Sequence, residues 1–169
     1  STDTLIYGGL VDSRKHNLPL STLENRLKRI EALKANHKNT RIYGFGTVMR
    51  SPRASGGGTE PSYYADYGPT IFQIAALQDK LDAGTLTQAE TQKLMSLQAS
   101  VPVEYLQDWF SRRQKNMQVN KDLIDEARNG VFAYFALGHD DTSQLSQSAL
   151  EGRYLNQYSK GIPRTQYGS

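Results

Sequence analysis

Residues 131–141 read Val-Phe-Ala-Tyr-Phe-Ala-Leu-Gly-His-Asp-Asp, and this stretch decides the fold that the sequence predicts. Seven residues with almost no polar groups follow a long helical pattern and end at Gly138. A run of this length and composition is typical of a strand buried on both faces of a parallel sheet. Because such sheets bind ligands at the carboxyl ends of their strands, we expect a polar site at His139, Asp140 and Asp141.

Two earlier stretches predict further strands. Residues 4–7 resemble the end of a strand that a glycine pair terminates, and residues 41–49 form a second, longer strand pattern. Between them, residues 21–24 have the pattern of a capping box and open a helix that extends to about residue 36. Strand, helix and strand joined by short links predict a parallel βαβ unit over residues 1–50.

The rest of the chain divides by composition. Residues 51–61 are rich in glycine, serine and proline and predict a flexible loop, without the spacing of a phosphate-binding loop. We expect a helical insertion at 62–128, with helices at about 69–82, 87–99 and 102–128, and a site strand with a C-terminal helix and tail at 129–169.

The predicted fold class is therefore α/β: a parallel sheet, Rossmann-like or a partial barrel, with a large helical insertion over its carboxyl edge. The expected strand at residues 4–7 lacks room for its first residues. We therefore expect an incomplete domain whose partner is the remainder of a longer polypeptide.

Composition restricts the possible partners. The net charge is only +3 and no dense basic cluster alternates with aromatic residues, so we expect no nucleic-acid partner. No apolar run has the length of a membrane span. The chain has no cysteine, which excludes a disulfide framework and thiol chemistry. It also lacks a nucleotide-binding fingerprint, a GxSxG elbow and an HExxH motif, so we expect no cofactor.

Asp140 and Asp141 are the candidate catalytic residues. Adjacent carboxylates repel each other, which can keep one protonated near neutral pH, as a general acid requires. They can also bind a divalent cation, or Asp141 or Ser143 can cap the helix that follows. His139 is more often a structural hydrogen-bonding residue than a catalyst, although its position beside the pair makes it a candidate for substrate binding.

A second set of polar residues follows the first expected strand. Asp3, Tyr7, Ser13 and Arg14 would share the edge of a parallel sheet with Arg50. Two arginines near carboxylates can clamp an anionic or polyhydroxylated substrate. The alternative is an internal network of salt bridges.

Two further groups lie in the expected insertion. Arg113, Asn116 and Asn120 recur at helical spacing beside apolar residues, so they line either a wet cleft or the contact that fastens the insertion to the sheet. Tyr64 belongs to a group of tyrosines after the loop, which can stack on sugars or bases, or pin the loop.

Short motifs along the chain carry a family resemblance. They are Asp-Thr-Leu, Tyr-Gly-Gly-Leu-Val and Ser-Arg within 3–14, Val-Met-Arg at 48–50, Tyr-Tyr-Ala-Asp-Tyr-Gly at 63–68, the helix of 112–120 and His-Asp-Asp at 139–141. Together they resemble a bacterial family catalogued as a domain of unknown function, number four-one-two-seven. His139 departs from the family pattern, which has glutamine. The family's members are several hundred residues long, so the resemblance implies a central fragment, and it implies no established activity.

The leading functional hypothesis is a hydrolase that acts on glycosidic bonds, with Asp140 or Asp141 as the acid and a carbohydrate or other small molecule as substrate. One alternative is a non-catalytic ligand-binding or structural domain whose aspartates only cap and brace. Another is a metal-dependent hydrolase that uses Asp3, Asp140 and Asp141.

Overall fold

The structure is a computed structural model that describes residues 1–9, 12–55, 60–139 and 141–161. Helices dominate the described residues. The elements follow in the order α1 (Thr2–Tyr7), a short 3-10 helix (Asp12–Arg14), α2 (Leu20–Asn36), β1 (Tyr43–Thr47), α3 (Tyr64–Asp82), α4 (Gln88–Ala99), α5 (Val103–Arg128), β2 (Tyr134–Gly138) and α6 (Gln147–Ser159).

The two strands pair in parallel. Their register runs from Tyr43 opposite Tyr134 to Thr47 opposite Gly138, so both carboxyl ends lie at the same edge. This pairing agrees with the expected α/β class and parallel sheet. The sheet of the described residues has two strands, which does not confirm a Rossmann-like fold or a partial barrel.

The first expected strand is wrong, because α1 occupies its position. Thr2, Asp3, Ile6 and Tyr7 are all buried, and this spacing places them on one face of a helix. The face packs on α2, where Ile6 and Tyr7 join the core. The expected βαβ unit over residues 1–50 is therefore wrong as well, since two helices and no strand precede β1 in its described part.

The site strand is shorter and more exposed than expected. It begins at Tyr134, whose side chain is 64% exposed, so the prediction of burial on both faces is wrong. One face of the two-stranded sheet stays open, whereas the other packs Phe135 against the core. Gly44 faces this ring, and a Cβ atom at that position would lie 2.8 Å from it.

Some of the predicted helix starts agree with the structure and others do not. Thr87 caps α4, and its Oγ1 accepts a hydrogen bond from the Glu90 N–H at 3.2 Å, which confirms the capping box. At α2 the capping box is wrong, because the helix already begins at Leu20 and no side chain caps it. Helix α3 begins five residues before the expected Pro69, which lies inside it.

The last helix begins later than expected. Ser146 is the N-cap of α6, and its side chain accepts a hydrogen bond from the Ala149 N–H at 3.0 Å. The alternative that Asp141 or Ser143 caps this helix is therefore wrong.

Three apolar clusters form the core of the described residues, and α5 contributes to each. Val119 and Leu123 pack with α1 and α2, whereas Trp109 packs with α3 and α4. Met117 and Ile124 pack with Val48 and α6. Helix α5 therefore connects the helices of the expected insertion to the sheet. In the described ranges no helix combines the length and apolar character that crossing a membrane would need.

Candidate functional site

Polar side chains or backbone groups from four helices, α1, α3, α5 and α6, and from the segment after β2 gather around residues 47–52, which end β1 and follow it. We call this region the strand-end site. It lies at the edge where β2 also ends, as expected for a ligand site of a parallel sheet. It contains most of the candidate residues, although many of them contact the backbone of this segment instead of open solvent.

The first network joins α1, β1 and α5. The Thr47 hydroxyl donates a short hydrogen bond to Oδ2 of the fully buried Asp3. The Asn120 amide donates to the Thr47 carbonyl at 3.3 Å and to Asn116 Oδ1 at 3.1 Å. The Asn116 amide in turn donates to the Tyr7 hydroxyl at 3.0 Å. Four candidate residues, Asp3, Tyr7, Asn116 and Asn120, are thus connected at the end of β1.

This network contains two acceptors without donors. Oδ1 of Asp3 and Oδ1 of Asn120 are buried and have no hydrogen-bond partner among the described residues. Both lie 3.5 Å from the position that a Cβ atom would take at Gly46. Burial raises the pKa of Asp3, against the effect of its hydrogen bonds from Thr47. A protonated Asp3 carries the hydrogen-bond donor that this arrangement lacks.

Arg113 fastens α5 to the segment after β1. Its Nη2 donates to the Met49 carbonyl at 2.6 Å, and its Nη1 donates to the Arg50 carbonyl at 3.1 Å. Its Nε lies 2.7 Å from Oε1 of Glu151, which is fully buried on α6. Burial raises the pKa of Glu151, and the Arg113 charge opposes that shift. The fastening alternative therefore describes Arg113 better than the wet cleft does.

Asp141 braces the same segment from the β2 side. Its Oδ2 accepts the Ser51 N–H at 3.0 Å, and its Oδ1 accepts the Ser143 N–H at 2.9 Å. Burial acts to raise the pKa of Asp141, but the hydrogen bonds from Ser143 and Ser51 and the nearby His139 hold it below its usual value. This shift is opposite to the one that a general acid requires. Asp140 lies outside the described residues.

The two candidate arginines of the first expected edge lie near one buried glutamate. Arg14 forms an ion pair with Glu60 at 2.7 Å, and the Glu60 side chain is only 3% exposed. Burial raises the pKa of Glu60, while Arg14, Arg113 and Arg50 act to lower it. The two arginines expected to clamp a substrate, Arg14 and Arg50, therefore both influence one buried carboxyl group, and the Arg50 side chain is exposed.

Tyr64 lies between the acidic and the basic residues. Its hydroxyl donates to the Pro52 carbonyl at 2.5 Å, so it pins the chain after β1. Burial raises the pKa of Tyr64, and the charges of both Arg14 and Asp141 affect it. Tyr64 is fully buried, so the ring is not exposed for stacking on a ligand.

His139 and Ser13 complete the candidates. Nε2 of the exposed His139 lies 2.9 Å from the hydroxyl of Ser148, whose N–H donates to the Ser51 hydroxyl at 3.2 Å. Ser13 is buried in the short 3-10 helix beside Arg14. The described residues contain no group of three histidine, cysteine or acidic side chains that could hold a metal ion.

Several partners in the site were not among the candidates. They are Thr47, Ser51, Glu60, Ser148 and Glu151, and each contacts a candidate residue. Glu151 pairs with Arg113 across 38 positions, so no local spacing signals the contact. Thr47 and Ser51 were detectable in principle, because Thr47 lies near the end of the strand expected at 41–49 and Ser51 follows it.

The comparisons with known proteins agree with the motif resemblance. A family model described as "Protein of unknown function (DUF4127)" matches residues 1–167, which is nearly the whole chain. No match was found among curated proteins or among solved structures. The family match confirms the resemblance of the motifs between Asp3 and Asp141. The chain belongs to the DUF4127 family.

Proposed function

We propose that this domain is a hydrolase of glycosidic bonds whose substrate binds at the strand-end site. The observation that carries the proposal is that two carboxyl groups meet the end of β1: Asp3 accepts the Thr47 hydroxyl, and Asp141 accepts the Ser51 N–H. The pKa of Asp3 is raised and that of Asp141 is lowered. Glycosidases use two carboxyl groups, and environments that separate their pKa values assign one as acid and the other as anion.

The proposed mechanism gives Asp3 the role that the sequence suggested for Asp140 or Asp141. Protonated Asp3 donates its proton to the glycosidic oxygen as the bond to the anomeric carbon breaks. Ionised Asp141 stabilises the positive charge that develops on the sugar ring. Water then adds its hydroxyl to the anomeric carbon and returns a proton to Asp3. The exposed Arg50 binds hydroxyl or carboxylate groups of the sugar, whereas Arg14 stays in its ion pair with Glu60.

Leaving-group dependence tests the acid role. The full chain is assayed on methyl glycosides, which need protonation, and on dinitrophenyl glycosides, whose leaving group departs without it. We expect Asp3→Asn to reduce hydrolysis of methyl glycosides by at least about 10²-fold. The same variant should retain most activity on dinitrophenyl glycosides. Asp66→Asn, an exposed aspartate on α3, is the matched control and should leave both rates unchanged.

Two results oppose this proposal. One is a folded wild-type chain that hydrolyses no glycoside in a panel of common sugars. The other is an Asp3→Asn variant that loses activity equally on both leaving groups, since this pattern indicates loss of structure and not of an acid.

A non-catalytic ligand-binding domain is the second candidate, and one observation favours it. Asp3 is fully buried and both oxygens of Asp141 already accept backbone N–H groups. In this second function, unlike the first, the two carboxyl groups brace the fold and do not contact the ligand. Calorimetry with sugars on the full chain distinguishes the candidates, because binding without turnover that weakens in Arg50→Met supports this second function.

A further inference from the structure

A groove between α3, α4 and the first half of α5 shares no lining residue with the strand-end site. Its volume is about 500 Å³. Pockets for small ligands typically have volumes of roughly 300–1,000 Å³, so the groove is large enough for a ligand of two or three sugar units. Its polar lining and its one aromatic ring come from Gln78, Gln98, Gln107, Phe110, Ser111 and Gln114.

The chemistry of this lining is uniform. Every polar side chain in it is neutral, and four of them are carboxamides. Each carboxamide offers two donors and one acceptor oxygen. None of the four carboxamide groups has a hydrogen-bond partner among the residues that the structure describes. In a chain with 22% charged residues, a groove of this size without a charged side chain disfavours ionic ligands.

We propose that this groove binds a neutral oligosaccharide. Vicinal hydroxyl groups of a sugar each donate and accept hydrogen bonds, which matches carboxamides that do both. Phe110 supplies an apolar ring for the C–H face of the sugar. Gln107 and Gln114 lie seven residues apart, about 10 Å along one face of α5, so they contact the first and third units of a trisaccharide.

Side-chain amide resonances test this inference directly. The full chain is titrated with maltotriose, cellotriose and chitotriose, with triglycine as a peptide comparison, and the shifts of the glutamine NH₂ signals are recorded. The double variant Gln107→Leu/Gln114→Leu removes two exposed carboxamides while keeping similar volume. We expect it to bind the sugar about tenfold more weakly than wild type. Gln92→Leu, an exposed glutamine of α4 outside the groove, should leave the affinity unchanged.

Each outcome has a clear meaning. Shifts of the groove glutamines with one trisaccharide, weakened in the double variant only, support the site. Absence of shifts with all three trisaccharides at millimolar concentration overturns it, and so does binding of triglycine in place of the sugars. Asp3→Asn leaves this titration unchanged, so failure here and failure of the strand-end hydrolase are distinguishable.

Discussion

Arg113 illustrates how one residue can look functional and act structurally. Its position in a polar stripe beside Asn116 and Asn120 is compatible with a cleft. In the structure its guanidinium group contacts the Met49 and Arg50 carbonyls, Glu151 and the Trp109 ring. Its donors are therefore directed at the chain itself. Removal of Arg113 would leave the buried Glu151 carboxylate without its ion-pair partner.

We predict that Arg113→Met reduces the free energy of unfolding by about 3–5 kcal/mol, because Glu151 then lies buried without its partner. Urea unfolding measures this change. Arg128→Met is the control, since the Arg128–Asp125 pair is about 40% exposed on both sides and should contribute about 0–1 kcal/mol. The double variant Arg113→Met/Glu151→Leu should recover part of the loss. Equal destabilisation by Arg113→Met and Arg128→Met would contradict the buried-pair account.

A second residue prediction concerns Glu126 on α5. Burial, with the nearby Glu31 carboxyl on α2, raises the pKa of Glu126 to about 7 from 4.5. The folded state therefore binds a proton that the unfolded state releases, and stability falls as the pH rises from about 4.5 to about 7. Glu126→Gln should remove this fall.

Because Glu126 is only half-buried, screening by solvent reduces the expected gain at pH 8 to about 1 kcal/mol. Near pH 4 the variant and the wild type should unfold alike. Thermal unfolding at both pH values is the measurement, with the exposed Glu104→Gln on the same helix as control. A gain that is equal at pH 4 and pH 8 would exclude repulsion between carboxylates as the cause.

At the scale of elements, local signals predicted some segments well and others poorly. Helix α4 was predictable because Thr87 and Glu90 form a local capping box. Residues 4–7 have a strand-like composition, but packing of Ile6 and Tyr7 against α2 selects a helix. Pro69 is typical of a helix start, yet α3 extends five residues before it, where Tyr64 packs into the core. Tertiary packing overrides local preference in both cases.

Gly68 in α3 provides a prediction in which packing and helix propensity oppose each other. Alanine at this position gains up to about 1 kcal/mol of propensity. Its Cβ atom, however, would lie 2.3 Å from the ring of Tyr64, whose hydroxyl is fixed by the Pro52 carbonyl. We expect Gly68→Ala to destabilise the protein by about 1–3 kcal/mol.

Gly152 in α6 is the matched control, because a Cβ atom there would lie 3.5 Å from His139, which is an ordinary contact. Gly152→Ala should stabilise the protein by about 0.5–1 kcal/mol. Thermal melts of both variants show whether each substitution stabilises or destabilises the protein. Stabilisation by both substitutions would show that the Tyr64 ring moves aside easily.

For the molecule as a whole, the sequence predicted the edge at which the two strands end better than it predicted the contacts made there. The expected edge exists, because the strand ends at 47 and 138 are set by apolar runs that local sequence reveals. The contacts at that edge depend on how α1, α5 and α6 pack, and chain-distant pairs such as Arg113 with Glu151 leave no local pattern. Those contacts therefore required the tertiary structure.

Helix α5 gives the last prediction, because it passes through all three apolar clusters. Leu123 is fully buried with α1 and α2, whereas Trp109, the single tryptophan, lies fourteen residues earlier among α3 and α4. The two side chains are about 21 Å apart along the helix axis.

If the clusters unfold as one unit, Leu123→Ala should lower the free energy of unfolding by about 2–5 kcal/mol. Trp109 fluorescence and far-UV circular dichroism should then report the same decrease. Leu94→Ala, in the cluster of Trp109, is the comparison and should shift both signals together as well. A fluorescence midpoint that stays at the wild-type value in Leu123→Ala, while the dichroism midpoint falls, would show that the helices at 62–128 unfold independently of the sheet.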